Sequence, residues 1–505
     1  MQLTELLSQI DGRQLSGPVD LCPTLLCHDS RQVCEGALFF ALPGAQQDGH
    51  AFVPAAIAAG ACAVVVERPL PVPESVALIQ VADCRRAMAR MAAAWYGFPA
   101  RQLLCIGVTG TNGKTTLTYL IEALLRQAGH RPAVIGTISN RFDGYSQPAS
   151  HTTPESIDLQ ALLADFCQRG ATAMVMEVSS HALQQQRVFG IDFAIGLFTN
   201  LTPEHLDYHA DMEQYFAAKQ RLFCGDAPGC RQAVIHLGDA YGQRLWQCRP
   251  DALTVALERD AAVRLLAVRQ SLAGVEARIA TPAGPVELRS ALVGRFNLEN
   301  LCCALGVGCC LGLDTEALAR ALGQVTAVPG RLERIENTLD ALVLVDYAHT
   351  GDALEKALQA VADLRPRRIL TVFGCGGDRD PRKRPVMGAV AVAASDLTVV
   401  TSDNPRTEDP LAIIDQICAG IRDPRVVRCA PETVPPVGSA YVVIPDRAAA
   451  IAWAVEQLRG GDVLLVAGKG HEDYQIIGSR KQHFDDREQL RLALRQRGAL
   501  PRNGR

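Results

Sequence analysis

The stretch Thr109-Gly110-Thr111-Asn112-Gly113-Lys114-Thr115-Thr116 lies between an apolar run and a helical one, and its residue types suit a polyphosphate. Glycines let backbone N–H groups approach phosphate oxygens, a lysine reaches the terminal phosphates, a threonine hydroxyl meets Mg²⁺, and the next helix presents its positive end. The spacing departs from G-x-x-x-x-G-K-[ST], because Val108 stands where the first glycine belongs. A tight strand-to-helix turn is the plainer alternative. Glu177 ends the run "TAMVME", and a carboxylate at the end of a buried strand needs compensation such as Mg²⁺ unless it faces water. "TNLTPEHLDYH" adds His205, Asp207 and His209, a zinc-like spacing that needs a third ligand. "MEQYFAAKQRLF" reads as an amphipathic helix, and its Lys219 reads from spacing alone as a surface lysine.

The C-terminal third repeats one pattern, an apolar run followed by a polar loop. Asp346 and His349 follow "LVLV", Arg379 follows "ILTVF", Asp403-Asn404-Pro405-Arg406 follow "LTVV", and Gly468 and Glu472 follow "DVLLV". Loops at the carboxyl ends of parallel strands converge on one crevice. Carboxylates there suit an ammonium and arginines suit a carboxylate, so the crevice fits a zwitterion. For Arg406 alone, a solvated loop charge is the competing reading.

The elements that must position these residues read as α/β throughout. Residues 1–97 alternate short strands ("GALFFAL", "CAVVVE", "VALIQVAD") with a helix at "HAFVPAAIAAGA". "LLCIGVT" is a strand, the glycines a loop, and "TLTYLIEALLRQAG" a helix, the order of a phosphate-binding unit. Strands continue at "TAMVMEV", "FAIGLFTN" and "RQAVIHL", residues 251–290 read as antiparallel strands and turns, and "FNLENLCCALGVGCCLGL" as helix. From about 332, "ALVLVDY", "RILTVFG", "LTVVTSD", "AYVVIP" and "DVLLVAG" alternate with helices as in a doubly wound parallel sheet.

A chain of 505 residues exceeds one core and divides into domains. With 21% charged residues and a net charge of −4, it carries no nucleic-acid footprint. Its 17 cysteines lie partly in apolar runs without a regular framework, so they read as reduced thiols. The start "MQLTELLSQIDGRQL" lacks the pattern of a signal peptide, and no apolar run reaches ~20 residues. A cytoplasmic protein without membrane insertion is expected.

"GVTGTNGKTT" resembles the ATP loop of the Mur ligases, the amino-acid-adding enzymes of peptidoglycan synthesis, and of the related folylpolyglutamate synthases. The resemblance covers nearly the whole chain. It implies a small mixed α/β domain for the UDP-bearing substrate (1–97), a central P-loop ATPase-type parallel-sheet domain (98–330), and a Rossmann-like domain for the amino acid (331–505). ATP as co-substrate would contact Gly110, Thr111, Asn112, Gly113, Lys114, Thr115, Thr116, Asn300, Arg331, Asp346 and His349. Two Mg²⁺ ions would be held by Thr115, Glu177, His205 and an N-carbamylated Lys219. Lys114, Glu177, His205, Lys219 and Arg331 form the implied catalytic set.

His28, Ser30, Gln46 and Gln47, in "HDSRQVCEGALFFAL" and "GAQQDG", resemble the uridine-diphosphate grip, although Ala45 stands where many relatives have histidine. Thr152, Thr153, Ser179, Gln185 and Arg187 would hold the acyl-peptide. Relatives that add meso-2,6-diaminopimelate carry Asp-Asn-Pro-Arg at 403–406, so Arg379, Asp403, Asn404, Pro405, Arg406, Gly468 and Glu472 are the implied amino-acid pocket. The expected reaction is ATP-dependent addition of diaminopimelate to UDP-N-acetylmuramoyl-L-alanyl-D-glutamate by a monomer, through an acyl phosphate and with domain closure. A lysine-adding ligase would differ at 403–406, and a folylpolyglutamate synthase would not need the N-terminal grip. A non-enzymatic sugar-nucleotide sensor would have no reason to keep Glu177, His205 and Lys219 together.

Overall fold

The computed structural model describes residues 1–44, 47–206, 208–224, 229–433 and 439–500; Ala45, Gln46 and Asp207 lie outside them. The chain forms two compact units. The first comprises Met1–Arg264, Ala280–Gly284 and Cys302–Leu318, the second Leu265–Ile279, Pro285–Leu301 and Ala319–Arg505.

In the first unit, strands Leu25–Cys27, Ala37–Phe40, Ala63–Val66 and Ala77–Val81 lie parallel in that order, and Gly12–Ser16 closes the sheet antiparallel. Alternation decides the faces: Leu38, Phe40, Val65 and Ile79 pack with helix Cys84–Trp95, whereas Phe39, Val64 and Val66 pack with Val53 and Ala56 on the other side. His28 and Ser30 follow one strand and Gln47 follows its parallel neighbour. These residues therefore leave the same end of the sheet.

A second sheet of this unit places Leu253–Ala256, Gln232–His236, Ile195–Phe198, Leu104–Thr109, Ala173–Glu177 and Pro132–Ile135 side by side, all parallel. Leu104–Thr109 is central, so the phosphate loop, Glu177 and Thr199 start from three adjacent strand ends. Residues 253–256 depart from the antiparallel expectation, because helix Ala240–Cys248 carries the chain back across the sheet before they pair, and Val263 and Arg264 pair with Val255 and Ala256 in parallel as well. Gly274–Ala280 and Val286–Ser290 do pair antiparallel. The two sheets of the first unit are joined through Gln186, which accepts from Arg86 Nε (2.8 Å) and donates to Asp83 (2.6 Å).

In the second unit, Leu342–Asp346, Val463–Ala467, Ile369–Phe373, Leu397–Val400 and Ala440–Val443 form the parallel core of a sheet. Their largely apolar character, interrupted by the buried Thr371 and Thr398, matches burial on both faces. The last parallel strand in the chain is inserted between the first two, which places the loop from Gly468 to Glu472 beside those that follow Asp346 and Phe373.

Arg447 and Asp486 join two helices beneath this sheet, with Nε and Nη2 donating to the two carboxylate oxygens at 2.7 Å each and Nη2 also to Ala467 O (2.9 Å). Both side chains are fully buried. Removing one partner strands the other charge, so Asp486→Ala is expected to cost about 3–5 kcal/mol of stability, checked by urea unfolding.

Candidate active site

The strand Leu104–Thr109 is apolar and buried, and the chain can turn at its end only because Gly110 adopts φ +144°. A Cβ there would lie 1.9 Å from Thr199 Oγ1, so Gly110→Ala must displace the loop. We expect this variant to lose ATP binding and about 2–3 kcal/mol of stability, read by nucleotide titration and thermal melting. Gly113, at φ +89°, precedes helix Lys114–Gln127. Thr111 N donates to Asn200 O (2.9 Å), Asn112 N to Asn200 Oδ1 (2.9 Å) and Thr199 Oγ1 to Asn112 O (2.7 Å), so the neighbouring strand end fixes the loop.

Lys114 Nζ donates to Gly110 O (2.9 Å) and Thr111 O (2.7 Å), and Lys219 Nζ donates to the same Gly110 O (2.8 Å). The expectation of a surface lysine from spacing is therefore corrected: Lys219 is 1% exposed, with its ammonium 4.6 Å from the centre of the Tyr215 ring. Burial, reinforced by the Lys114 charge, holds the Lys219 amine well below the usual lysine range.

Glu177 is buried and bound by hydroxyls and an amide. Oε1 accepts from Thr115 Oγ1 (3.0 Å) and Thr137 N (2.9 Å), and Oε2 from Thr137 Oγ1 (3.0 Å). A carboxylate and a hydroxyl together at the start of the phosphate-loop helix are hard oxygen donors, a set that fits Mg²⁺ with water completing its shell. His205 is exposed, at φ +58°, with its ring 4.9 Å from His181 and 6.1 Å from Tyr215. Among the described residues, no three His, Cys, Asp or Glu gather to hold a metal, so the zinc reading finds no third ligand there.

The polar strings around 152 and 179 converge. Thr153 Oγ1 donates to Glu177 O (2.8 Å) and accepts from Ser179 N (3.1 Å), and Thr152 Oγ1 meets Thr137 Oγ1 at 3.0 Å. Arg187 donates to Gln185 Oε1 from Nε (3.0 Å) and Nη2 (2.7 Å) and to Thr153 O from Nη1 (2.8 Å), and pairs with Glu155 at 2.9 Å. Thr137 and Glu155 were not singled out from the sequence. Glu155 lies within the polar string "HTTPESIDL", two residues after Thr153, whereas Thr137 sits in no motif, and only the fold brings Thr137 to Glu177 and Glu155 to Arg187.

In the second unit, Asn300 is buried and donates to Asn297 Oδ1 (3.4 Å), and the Arg331 guanidinium lies 4.9 Å from the Tyr347 ring centre. Asp346 accepts from Leu332 N and Ala348 N (2.8 Å each), and His349 Nδ1 meets Tyr347 O at 2.9 Å. Burial pushes the Asp346 carboxyl up, against the pull of Arg331.

The crevice is tightly built. Asn404 Nδ2 donates to Glu472 Oε2 (3.0 Å), Arg406 Nη1 to Gly377 O (2.8 Å), and Gly377 N to Asn404 O (2.9 Å). Gly468 leaves no room for a side chain, because a Cβ would stand 2.7 Å from Asp403 Oδ2. Pro405 is buried, whereas Arg379 is exposed and donates to Asp378 O (3.2 Å). The hairpin Tyr474–Ile477 and Arg480–His483 clamps the turn: Arg406 N donates to Ile476 O (3.0 Å), Ile476 N to Asn404 Oδ1 (3.0 Å), and Gln475 Nε2 to Asp403 O (2.7 Å). This hairpin and the buried Lys469 were missed in the sequence, although "GKG" offered a signal: glycines flank a lysine at a strand end.

Three family models match successive segments: the Mur ligase family catalytic domain at 24–96, the Mur ligase middle domain at 108–308, and the Mur ligase glutamate ligase domain at 330–470. The chain belongs to the Mur ligase family, and it is an ATP-dependent, amide-bond-forming ligase. It is 49% identical over 504 residues to the UDP-N-acetylmuramoyl-L-alanyl-D-glutamate–2,6-diaminopimelate ligase of Geobacter metallireducens, covering 98% of this chain and 99% of that one. The protein of the same name from Geobacter sulfurreducens is 47% identical, with coverage of 98% and 99%. A solved structure titled as this ligase superposes with TM-score 0.71 at 34% identity, covering 99% of each chain.

Proposed function

We propose that this chain joins meso-2,6-diaminopimelate to UDP-N-acetylmuramoyl-L-alanyl-D-glutamate, using ATP, in cytoplasmic peptidoglycan-precursor synthesis. The observation that carries this reading is the Asp403–Arg406 turn, held against Gly468, Glu472 and the 474–483 hairpin in a pocket with both carboxylates and a guanidinium. Similarity at 49% identity to a ligase with this substrate name supports it. No helix among the described residues is long and apolar enough to cross a membrane. We assign residues 1–97 to the UDP-bearing substrate, 98–330 to ATP and 331–505 to the amino acid.

In this reading the D-glutamyl side-chain carboxylate attacks the γ-phosphorus and ADP leaves. The neutral amine then attacks the acyl carbon to give a tetrahedral intermediate, which passes a proton to solvent and collapses to the amide with expulsion of phosphate. Activation is required because a carboxylate is a poor electrophile. Lys114 leaves its loop carbonyls for the phosphates, and Arg331 offsets charge on the transferred group. Thr115, Glu177, His205 and a carbamylated Lys219 would hold two Mg²⁺ ions, which would supply charge neutralisation on phosphate oxygens. Thr153, Ser179 and Arg187, gathered beside Glu177, orient the acyl-peptide.

Phosphate release is measured with the UDP-muramoyl-dipeptide and diaminopimelate, lysine or no acceptor. Release with diaminopimelate well above the other two is expected. Lysine equal to diaminopimelate would reassign the acceptor, and no release with either would sink the ligase reading.

A further inference from the structure

Lys469 belongs to none of the roles above, yet it stands between the two carboxylates of the proposed amino-acid pocket, Asp403 and Glu472. It is 0% exposed. Its Nζ donates to Asn404 Oδ1 (3.1 Å) and stands 3.7 Å from both Asp403 Oδ1 and Glu472 Oε2. Neither carboxylate is in hydrogen-bond contact with it, so each keeps lone pairs for another cation. Local structure explains the inward direction: Gly468 and Gly470 adopt φ +114° and +55°, and side chains there would strike Asp403 and Tyr347. Asn404 is locked in one orientation, its carbonyl toward Lys469 and Ile476 N and its amide toward Glu472.

We infer that Lys469 is a specificity-determining residue, a resident ammonium that lowers the negative charge of the pocket so that a zwitterionic far end is preferred over a purely cationic one. The inference rests on the proposed diaminopimelate reading. The far end of diaminopimelate carries an ammonium and a carboxylate and sums to zero, while that of lysine carries an ammonium alone. A fixed positive charge about 4 Å from both carboxylates penalises the second more than the first. Arg406, which also acts on Glu472, favours the far carboxylate too and is left in place when Lys469 is replaced, while Arg447 is paired with Asp486 and Lys383 donates to His349 O. Burial and the charge of Asp403 already push the Glu472 carboxyl up, as expected where two carboxylates share one region.

The test has two parts. With Lys469→Met, the ratio of kcat/KM for diaminopimelate to that for lysine is expected to fall at least about tenfold, while Lys469→Arg retains more of the preference. Because the ratio is taken on one preparation, loss of folded protein cancels. With the unmutated protein, 2-aminopimelate, which lacks the far ammonium, is expected to compete with diaminopimelate at least about tenfold better than lysine does. An unchanged ratio in Lys469→Met, or lysine competing as well as 2-aminopimelate, would overturn the inference. Absence of any turnover of diaminopimelate by the unmutated protein would instead overturn the functional reading, so the two failures are distinct.

Discussion

Lys219→Met is expected to lower kcat by about a thousandfold or more while raising the melting temperature, a combination that separates a functional residue from a structural one. The loss follows from position: Lys219 Nζ lies on Gly110 O beside Lys114, at the mouth of the phosphate loop. A neutral amine there can add CO₂ and release a proton to solvent, giving a carbamate, an anion suited to Mg²⁺ in place of an ordinary lysine cation. Activity of Lys219→Ala should then be partly rescued by short carboxylates, and full activity in that variant would remove Lys219 from the mechanism.

The gain in stability follows from linkage. Burial and Lys114 hold the folded amine below its ordinary range, so the unfolded chain binds more protons and stability rises as pH climbs toward the unfolded lysine value near ~10.4. Methionine removes that dependence. Its advantage in bicarbonate-free buffer should be largest at neutral pH and should shrink as pH approaches ~10, and melting scans across this window check the sign.

Arg406→Ala is expected to raise KM for diaminopimelate about a hundredfold and KM for ATP little, because an unmatched carboxylate in a polar pocket loses its partner. Arg406 has φ +52°, a strained backbone for a side chain with a Cβ, and backbone pairing to the 474–483 hairpin holds it there. Arg406→Gly relieves that strain and should show the same KM rise, which assigns the effect to the guanidinium. Arg406→Lys keeps charge without the bidentate fork and should fall between. An unchanged KM for diaminopimelate in all three would return the turn to a purely structural role.

The buried Arg384 supports the same loop from behind. It pairs with Glu408 through Nη1 (2.7 Å) and Nη2 (2.8 Å), while Glu408 accepts from Asp378 N (2.5 Å). The Arg384 guanidinium holds the Glu408 carboxyl down at about 2, so this tie persists through the pH range in which the enzyme would be assayed.

The amino-acid sequence by itself determined the chemistry offered at each strand end. Glycines at 110 and 113, a carboxylate closing "TAMVME" and the rigid Asp-Asn-Pro-Arg turn are local features, fixed by backbone freedom and by where apolar runs stop. The same locality made the α/β alternation legible, since strand and helix periods are written in neighbouring residues. Only the tertiary structure decided that Lys219 is buried beside Lys114: the expected amphipathic helix is in fact Met212–Gln220 with little amphipathic bias, so its pattern gives no sign of which face is covered. It alone inserted Val463–Ala467 between Leu342–Asp346 and Ile369–Phe373, bringing Lys469 between Asp403 and Glu472. An apolar strand buried on both faces carries no mark of its hydrogen-bonded neighbours, so strand order, and the pocket that depends on it, is settled by packing.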